Sequence, residues 1–211
     1  MSKTNPACLI LAVPTDRLSI TRELGNESVF AKLGKEGSIA ALAEAGAWFG
    51  PRPHLEQDER FRQIIPYVVL RCDGKYLAYT RGAAGGEDRL HAKISMGFGG
   101  HVDIPDMKAD EDGMFDLGGT LEGSVLRELQ EEIPGIEILG GQWVGLLADN
   151  TDAVGRVHVG LIGVWDIKAV PAASGEDAIA ELTAMTVEEM IAVKDRLENW
   201  SQVLVENLTG L

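Results

Sequence analysis

The segment Arg127-Glu128-Leu129-Gln130-Glu131-Glu132 places three glutamates within five residues. In a helix, Glu128 lies next to both Glu131 and Glu132, because side chains three and four residues apart share a face. Each like-charged pair costs about 0.2–0.5 kcal/mol on an exposed helix. Arg127 can bond Glu131 four residues on, but one guanidinium does not neutralise three acids. A divalent cation would, and hard oxygen ligands select Mg²⁺ or Mn²⁺.

The residues around this acidic segment predict a helix next to a glycine-rich strand. We expect the helix over Thr120 to Ile133, with Thr120 as its N-cap and Pro134-Gly135 as its stop. An acidic run of this kind is also typical of a solvated helix face. The upstream stretch Met96 to Val102 favours a binding site instead, because its bare glycine backbone can approach a phosphate or a metal.

The remaining hydrophobic patterns predict a mixed α/β fold. Strands are expected over residues 7–13, 64–72, 75–81, 93–102, 136–148 and 156–167, and further helices over 36–49 and 186–208. Asp73-Gly74 is typical of a hairpin turn between the second and third strands. Residues 104–119 are acidic without apolar periodicity, which predicts a surface loop. Hairpins together with a strand–helix–strand passage indicate a mixed sheet with helices on its faces.

Length and composition indicate one sizeable domain. The chain has 211 residues, 45% of them hydrophobic, and we divide it into an extension over 1–60 packed on a domain over 61–211. Its net charge of −14 argues against nucleic acid and anionic membrane surfaces as partners. The apolar run Ala7 to Val13 is too short for a signal peptide. Cys8 and Cys72 lie in apolar stretches, where free buried thiols are the usual state, although a disulfide is possible. A cytoplasmic protein is expected.

The acidic segment resembles the Nudix box. That pattern is a glycine, five residues, Glu, seven residues, then Arg-Glu-apolar-any-Glu-Glu-any-Gly-apolar. Arg127 to Glu132 matches the second half without a gap, Pro134-Gly135-Ile136 supplies the ending with one extra residue, and Gly99-Gly100-His101-Val102 resembles the opening. Further stretches resemble a bacterial subgroup of predicted MutT-family phosphoesterases, namely 63–67, 87–91, 155–160 and 197–201.

Two departures from the Nudix pattern concern the first half of the box. Gly100 and Arg127 are 27 positions apart where the pattern needs 14, so 13 residues are inserted. Counted back from Arg127, the upstream box glutamate falls on Gly119. Glu122 or Asp116 could substitute for this acid, or the site could be weakened.

The resemblance implies an α/β/α sandwich that hydrolyses the pyrophosphate bond of a nucleoside diphosphate linked to another moiety. Position by position, it assigns Glu128, Glu131 and Glu132 to the metal, with a main-chain carbonyl at Gly100 as a further ligand. Arg127 would orient the glutamates. Glu131 or Glu132 would take the proton of the attacking water. A small, nucleotide-derived phosphorylated substrate is implied, and homodimers are common in the family.

Four residues besides the acidic segment are candidates for substrate binding. Arg81, Arg89 and Arg156 are scarce positive charges near predicted strand ends, where they could bind phosphate or form salt bridges with the abundant carboxylates. His101 follows the glycine pair and is either a substrate contact or a hydrogen-bonded structural group.

Two other functional classes compete with a hydrolase. The absence of an acid at Gly119 is compatible with a sensing or regulatory module that keeps the fold and turns over little. An enzyme that resembles isopentenyl-diphosphate isomerase shares the fold but needs a catalytic cysteine in a polar context. Because Cys8 and Cys72 lie in apolar runs, we rank this class last.

Overall fold

The computed structural model describes residues 8–22, 24–81, 93–175 and 179–208. Its strands are β1 Leu9–Pro14, β2 Ser28–Ala31, β3 Trp48–Pro51, β4 Phe61–Cys72, β5 Lys75–Arg81, β6 Ile94–Ser95, β7 Gly97–Phe98, β8 Lys108–Ala109, β9 Phe115–Asp116, β10 Ile138–Asp149, β11 His158–Ile167 and β12 Ile179–Met185. Its helices are α1 Gly34–Glu44, α2 Arg52–Leu55, α3 Leu117–Glu132, α4 Val187–Ala192 and α5 Asn199–Val205.

Ten of the described strands form one mixed sheet. Its central path runs β12-β5-β4-β11-β10-β2, with β1, β3, β6 and β7 joined at the side of this path. The neighbouring strands β4 and β11 are parallel, and their register sets Gln63 beside His158. The predicted hairpin between β4 and β5 is confirmed, with Asp73 and Gly74 both at positive φ.

The sheet is buried on both faces, which confirms the α/β/α sandwich. Val68 and Leu70 of β4 pack with Leu121 and Leu129 of α3 in one core cluster. The alternate residue Val69 belongs to a second cluster, which also contains side chains of α4 and α5. This alternation follows from the strand period of two. Among the described residues, no helix is long and apolar enough to cross a membrane.

The acidic helix begins earlier than predicted. The N-cap of α3 is Asp116, whose Oδ1 accepts a hydrogen bond of 2.9 Å from the Gly119 N–H, so Thr120 lies inside the helix. The prediction of a surface loop over 104–119 is therefore wrong in part. It contains a 3₁₀ turn at Ile104–Asp106 and a β8–β9 hairpin.

Two other predicted helices are shorter than expected. The helix predicted over 36–49 ends at Glu44, because Gly46 adopts φ +83° and the chain continues into β3, which pairs with β1. The helix predicted over 186–208 is broken between α4 and α5. Leu197 and Glu198 are extended there because Leu197 forms a bridge to Ile94 and the Glu198 N–H donates to the Ile94 carbonyl.

Candidate functional site

The Gly99–Gly100 turn after β7 lies against the acidic side chains of α3. Gly99 has φ +131°, and a Cβ there would be 2.0 Å from the Pro66 carbonyl oxygen, so the close approach requires glycine. Its N–H donates to Glu132 Oε2 at 3.0 Å. A Cβ on Gly100 would lie 2.8 Å from the carboxylate carbon of Glu128. The bare backbone of this turn therefore gives room to two of the three glutamates.

Arg127 holds this arrangement together. Its Nε and Nη2 donate to the two carboxylate oxygens of Asp106 at 2.8 Å each, and Nη2 also donates to the His101 carbonyl at 3.1 Å. Its Nη1 donates to Glu128 Oε1 at 2.8 Å and lies 3.6 Å from Glu131 Oε2. The hydrogen bonds to Asp106 raise the pKa of Arg127, so the guanidinium is permanently charged.

Glu128 and Glu131 thus lie at the Arg127 guanidinium, and Glu128 and Glu132 lie at the glycine turn. Glu132 is buried, Glu128 is largely buried, and Glu131 is half exposed. The set offers carboxylate oxygens beside the Gly100 backbone, which are the ligands that suit a hard divalent cation. In the described part of the chain, no group of three histidine, cysteine or acidic side chains is placed so that it could hold a metal ion as it stands. The donor chemistry fits Mg²⁺ or Mn²⁺, and an additional water shell is usual for Mg²⁺.

Neither expected substitute for the missing box glutamate contacts Arg127. A Cβ on Gly119 would lie 2.3 Å from Asp116 Oδ2, because Asp116 folds back to cap the helix. Glu122 forms an exposed ion pair of 2.6 Å with Lys35. Asp106 is the acid that pairs with the arginine. Burial acts to raise its pKa, but the hydrogen bonds from Arg127 and from the Asp103 N–H outweigh this and hold the pKa below the usual range.

A cleft of about 280 Å³ opens next to the glycine turn. Gly99, Gly100 and His101 line one side of it. Burial lowers the pKa of His101 to about 3, so the ring is neutral and its Nε2 donates to Gln63 Oε1 at 2.9 Å. His158 also lines the cleft, with its ring 5.7 Å from that of His101 and its Nδ1 donating to the Val154 carbonyl at 2.7 Å.

Of the other substrate-binding candidates, the structure places Arg81 at the cleft and Arg156 away from it. Arg81 lines the cleft and donates from Nε to Glu198 Oε2 at 2.9 Å. Arg156 lies outside the residues that line the cleft, in an ion pair of 2.8 Å with Glu59, which corresponds to the salt-bridge alternative. Arg89 falls outside the described residues.

Sequence reasoning assigned no role to four residues at this site. Asp106 lies within the inserted segment, and no motif distinguishes it from the neighbouring acids. His158, Glu198 and Trp200 all line the cleft. They belong to stretches 155–160 and 197–201, whose resemblance to the MutT-family subgroup was the one signal that could have identified them.

Both cysteines lack the features of a nucleophile. They are free thiols, Cys72 buried and Cys8 exposed. The Cys8 thiol donates to Asp103 Oδ1 at 3.2 Å, and this hydrogen bond raises the pKa of Cys8, which disfavours the reactive thiolate. Neither residue lines the cleft. The placement gives no support to isomerase-type cysteine chemistry.

Comparison with known proteins places the chain in a family. No protein-family model matches the sequence. Protein YmaB of Bacillus subtilis (strain 168) is 36% identical over 208 residues, covering 95% of this chain and 97% of YmaB. The crystal structure of Tm1382, which is assigned to the Nudix hydrolases, matches with a TM-score of 0.75 and 26% identity over 95% of this chain and 97% of Tm1382. DR0079 from Deinococcus radiodurans matches with a TM-score of 0.48 and 14% identity over 86% of this chain and 98% of its own. The chain therefore belongs to the family of YmaB and, by the fold and sequence that it shares with Tm1382, to the Nudix superfamily.

Proposed function

We propose that the protein is a metal-dependent hydrolase that cleaves the pyrophosphate bond of a nucleoside diphosphate linked to another moiety. The observation that carries this proposal is the position of Glu128 and Glu132 against the Gly99–Gly100 turn beside the cleft. Glu131 lies close to them through Arg127, whose Nη1 is 2.8 Å from Glu128 and 3.6 Å from Glu131. Such a cluster of acids is costly unless a cation is shared. The substrate in this proposal is a small nucleotide-derived molecule, with its phosphates at the glutamates and Arg81.

The chain's own residues have distinct roles in this proposal. Glu128, Glu131, Glu132 and the Gly100 carbonyl hold Mg²⁺ or Mn²⁺, which when bound neutralises phosphate charge and acidifies a water molecule. Arg127 fixes the orientation of Glu128 through its 2.8 Å bond. Glu131 or Glu132 accepts the proton of the attacking water. Glu131 is the more exposed of the two, whereas Glu132 is held by the Gly99 N–H.

The proposal is tested by phosphate release from nucleotide-sugars, dinucleotides and deoxynucleoside triphosphates in the presence of Mg²⁺. We expect turnover of at least one class, and loss of that turnover in Glu132→Gln. Glu137→Gln is the matched control, because Glu137 forms an exposed ion pair with Lys168 and has no contact with the site. Equal activity of Glu132→Gln and the wild type would refute the assignment.

The general base can be separated from the metal ligands by measuring Mn²⁺ affinity and kcat in the same variants. A substitution that removes a ligand weakens Mn²⁺ binding and lowers kcat together. A substitution that removes only the base lowers kcat and leaves the Mn²⁺ affinity unchanged. Glu131→Gln and Glu132→Gln should differ in this respect.

A sensing module is the second candidate function, and one observation favours it. The Asp116 carboxylate fills the space that a side chain at position 119 would occupy. The box therefore has no glutamate at this position, and the structure leaves no room for one. A sensor would bind a nucleotide of the same panel with Mg²⁺ and release no phosphate. Tight binding without turnover would therefore replace the hydrolase proposal with this one.

A further inference from the structure

One carboxylate that lines the cleft, that of Glu198, accepts several hydrogen bonds from the protein. Glu198 is 6% exposed and lies just before α5. Its Oε1 accepts from Ser95 Oγ at 2.6 Å and from Tyr67 Oη at 2.7 Å. Its Oε2 accepts from Arg81 Nε at 2.9 Å. Strands β4, β5 and β6 each supply one of these donors, so the carboxylate is held from three directions.

These contacts determine what Glu198 can do. A buried carboxylate with three short hydrogen bonds, one of them from a guanidinium, has its main acceptor directions in use. It is therefore badly suited to take a proton from water or to enter the coordination shell of a metal. What the geometry does provide is a rigid partner for Arg81.

Arg81 has a special place in the electrostatics of the cleft. Among the described residues that line the cleft, it is the one arginine, and no lysine lies with it. Asp149 and Asp152 line the same cleft and act against an anion. The guanidinium carbon also lies 5.7 Å from the centre of the Tyr79 ring. Since Nε is bound to Glu198, the two terminal nitrogens are the atoms that can bind a phosphate oxygen.

We propose that Glu198 is a positioning residue that fixes Arg81 as the anchor for a phosphate of the substrate. This inference rests on the proposed function for the identity of the ligand, and it adds a residue that lies outside the Nudix box. Pre-ordering of a long arginine side chain lowers the entropy that binding would otherwise cost. Removal of Glu198 should consequently weaken phosphate binding even though Glu198 itself does not touch the ligand.

The test measures binding of inorganic pyrophosphate by calorimetry in the presence of Mg²⁺. Glu198→Gln should raise the Kd about tenfold, the effect of one charge-assisted hydrogen bond. In protein that already carries Arg81→Ala, Glu198→Gln should have no further effect on the Kd. Glu198 acts on the phosphate through Arg81, which this variant lacks. Asp166→Asn is the matched control, since it removes the carboxylate partner of Arg71 and leaves the cleft intact.

Glu198→Asp serves as a second variant should the amide prevent folding. It keeps the charge but withdraws the carboxylate by one methylene group, and it should also raise the Kd. Circular dichroism checks that each variant is folded. The inference is overturned if wild-type protein binds no pyrophosphate at millimolar concentration, or if Glu198→Gln raises the Kd equally with and without Arg81.

Failure of this inference can be told apart from failure of the proposed function. If the wild type hydrolyses a substrate while Glu198→Gln retains its full pyrophosphate affinity, the positioning role of Glu198 is refuted and the hydrolase proposal is retained. If no substrate is hydrolysed while pyrophosphate binding depends on Glu198 through Arg81, the hydrolase proposal is refuted and the positioning role of Glu198 is retained.

Discussion

At the scale of single residues, the pair formed by Asp106 and Arg127 carries the geometry of the acidic helix. The two hydrogen bonds of 2.8 Å are made to an acid that is 6% exposed. We expect Asp106→Asn to lower the free energy of unfolding by about 2 kcal/mol, because it removes the most buried of the carboxylates that pair with a partly buried guanidinium. It should also lower kcat, since Arg127 would no longer fix Glu128.

Urea denaturation and phosphate release measure these two effects. Glu122→Gln is the control, because its ion pair with Lys35 is exposed on both sides and should contribute less than about 1 kcal/mol. If Asp106→Asn and Glu122→Gln were equally stable and equally active, Asp106 would have no special role.

Gly119 yields a second prediction at the residue scale. Gly119→Glu would supply the glutamate that the Nudix pattern has at this position. Its Cβ, however, would lie 2.3 Å from Oδ2 of Asp116, the residue that caps α3. The substitution should displace Asp116 and lower the free energy of unfolding by about 1–2 kcal/mol, the value of a lost N-cap. It should not raise kcat. A stable variant with higher activity would show that the missing acid limits this enzyme.

How far the site could be predicted depends on the separation of its residues along the chain. Glu128, Glu131 and Glu132 were identifiable because helical spacing relates them directly. Asp106 was not, because it reaches Arg127 from 21 residues upstream through a 3₁₀ turn that has no periodic signal. Residue patterns report local geometry, whereas this pair depends on how the inserted segment folds back.

At the scale of elements, the same distinction separates the confirmed predictions from the wrong ones. The β4–β5 hairpin was predictable because its turn residues and alternation are local. The long C-terminal helix was wrong because a backbone bond from Glu198 to Ile94 outweighs helix propensity at 197–198. Strands β2 and β12 were missed; the first is short and lacks a fully buried residue, and the second pairs at the edge of the sheet.

The connection between β10 and β11 gives a prediction at this scale. Arg62 of β4 is 2% exposed, and its Nη1 donates to the carbonyls of Gly155 and His158 at 2.8 and 2.9 Å, while Nη2 bonds Asn150. Arg62→Met would leave these acceptors without a partner. We expect the free energy of unfolding to fall by about 2–4 kcal/mol.

Urea denaturation also measures this effect. Arg60→Met, two residues earlier, is the matched control, because Arg60 is exposed and solvent screens its pair with Asp58, so the substitution should change stability little. Similar stability of the two variants would mean that the buried guanidinium does not hold the connection in place.

At the scale of the whole molecule, the first 60 residues contribute strands to the main sheet. β1 pairs with β4, and β2 pairs with β10. The boundary at residue 61, the cytoplasmic location and the homodimer stay predictions. If the extension and the rest form one domain, unfolding should be a single transition. The fluorescence of Trp48 in β3, obtained as the difference between the wild type and Trp48→Phe, reports on the unfolding of the extension. The unfolding curve from this fluorescence should coincide with the curve from circular dichroism. Two separated transitions would contradict this.

We propose that the three glutamates of α3 together bind one divalent cation, and calorimetric titration with Mn²⁺ measures this binding. The wild type should bind one Mn²⁺ per chain, and replacement of Glu128, Glu131 and Glu132 by glutamine should abolish that binding. Glu188→Gln with Glu189→Gln, which changes two acids of the separate helix α4, should leave it unchanged. Absence of Mn²⁺ binding in the wild type, or equal binding in the triple variant, would show that these glutamates are not the metal ligands.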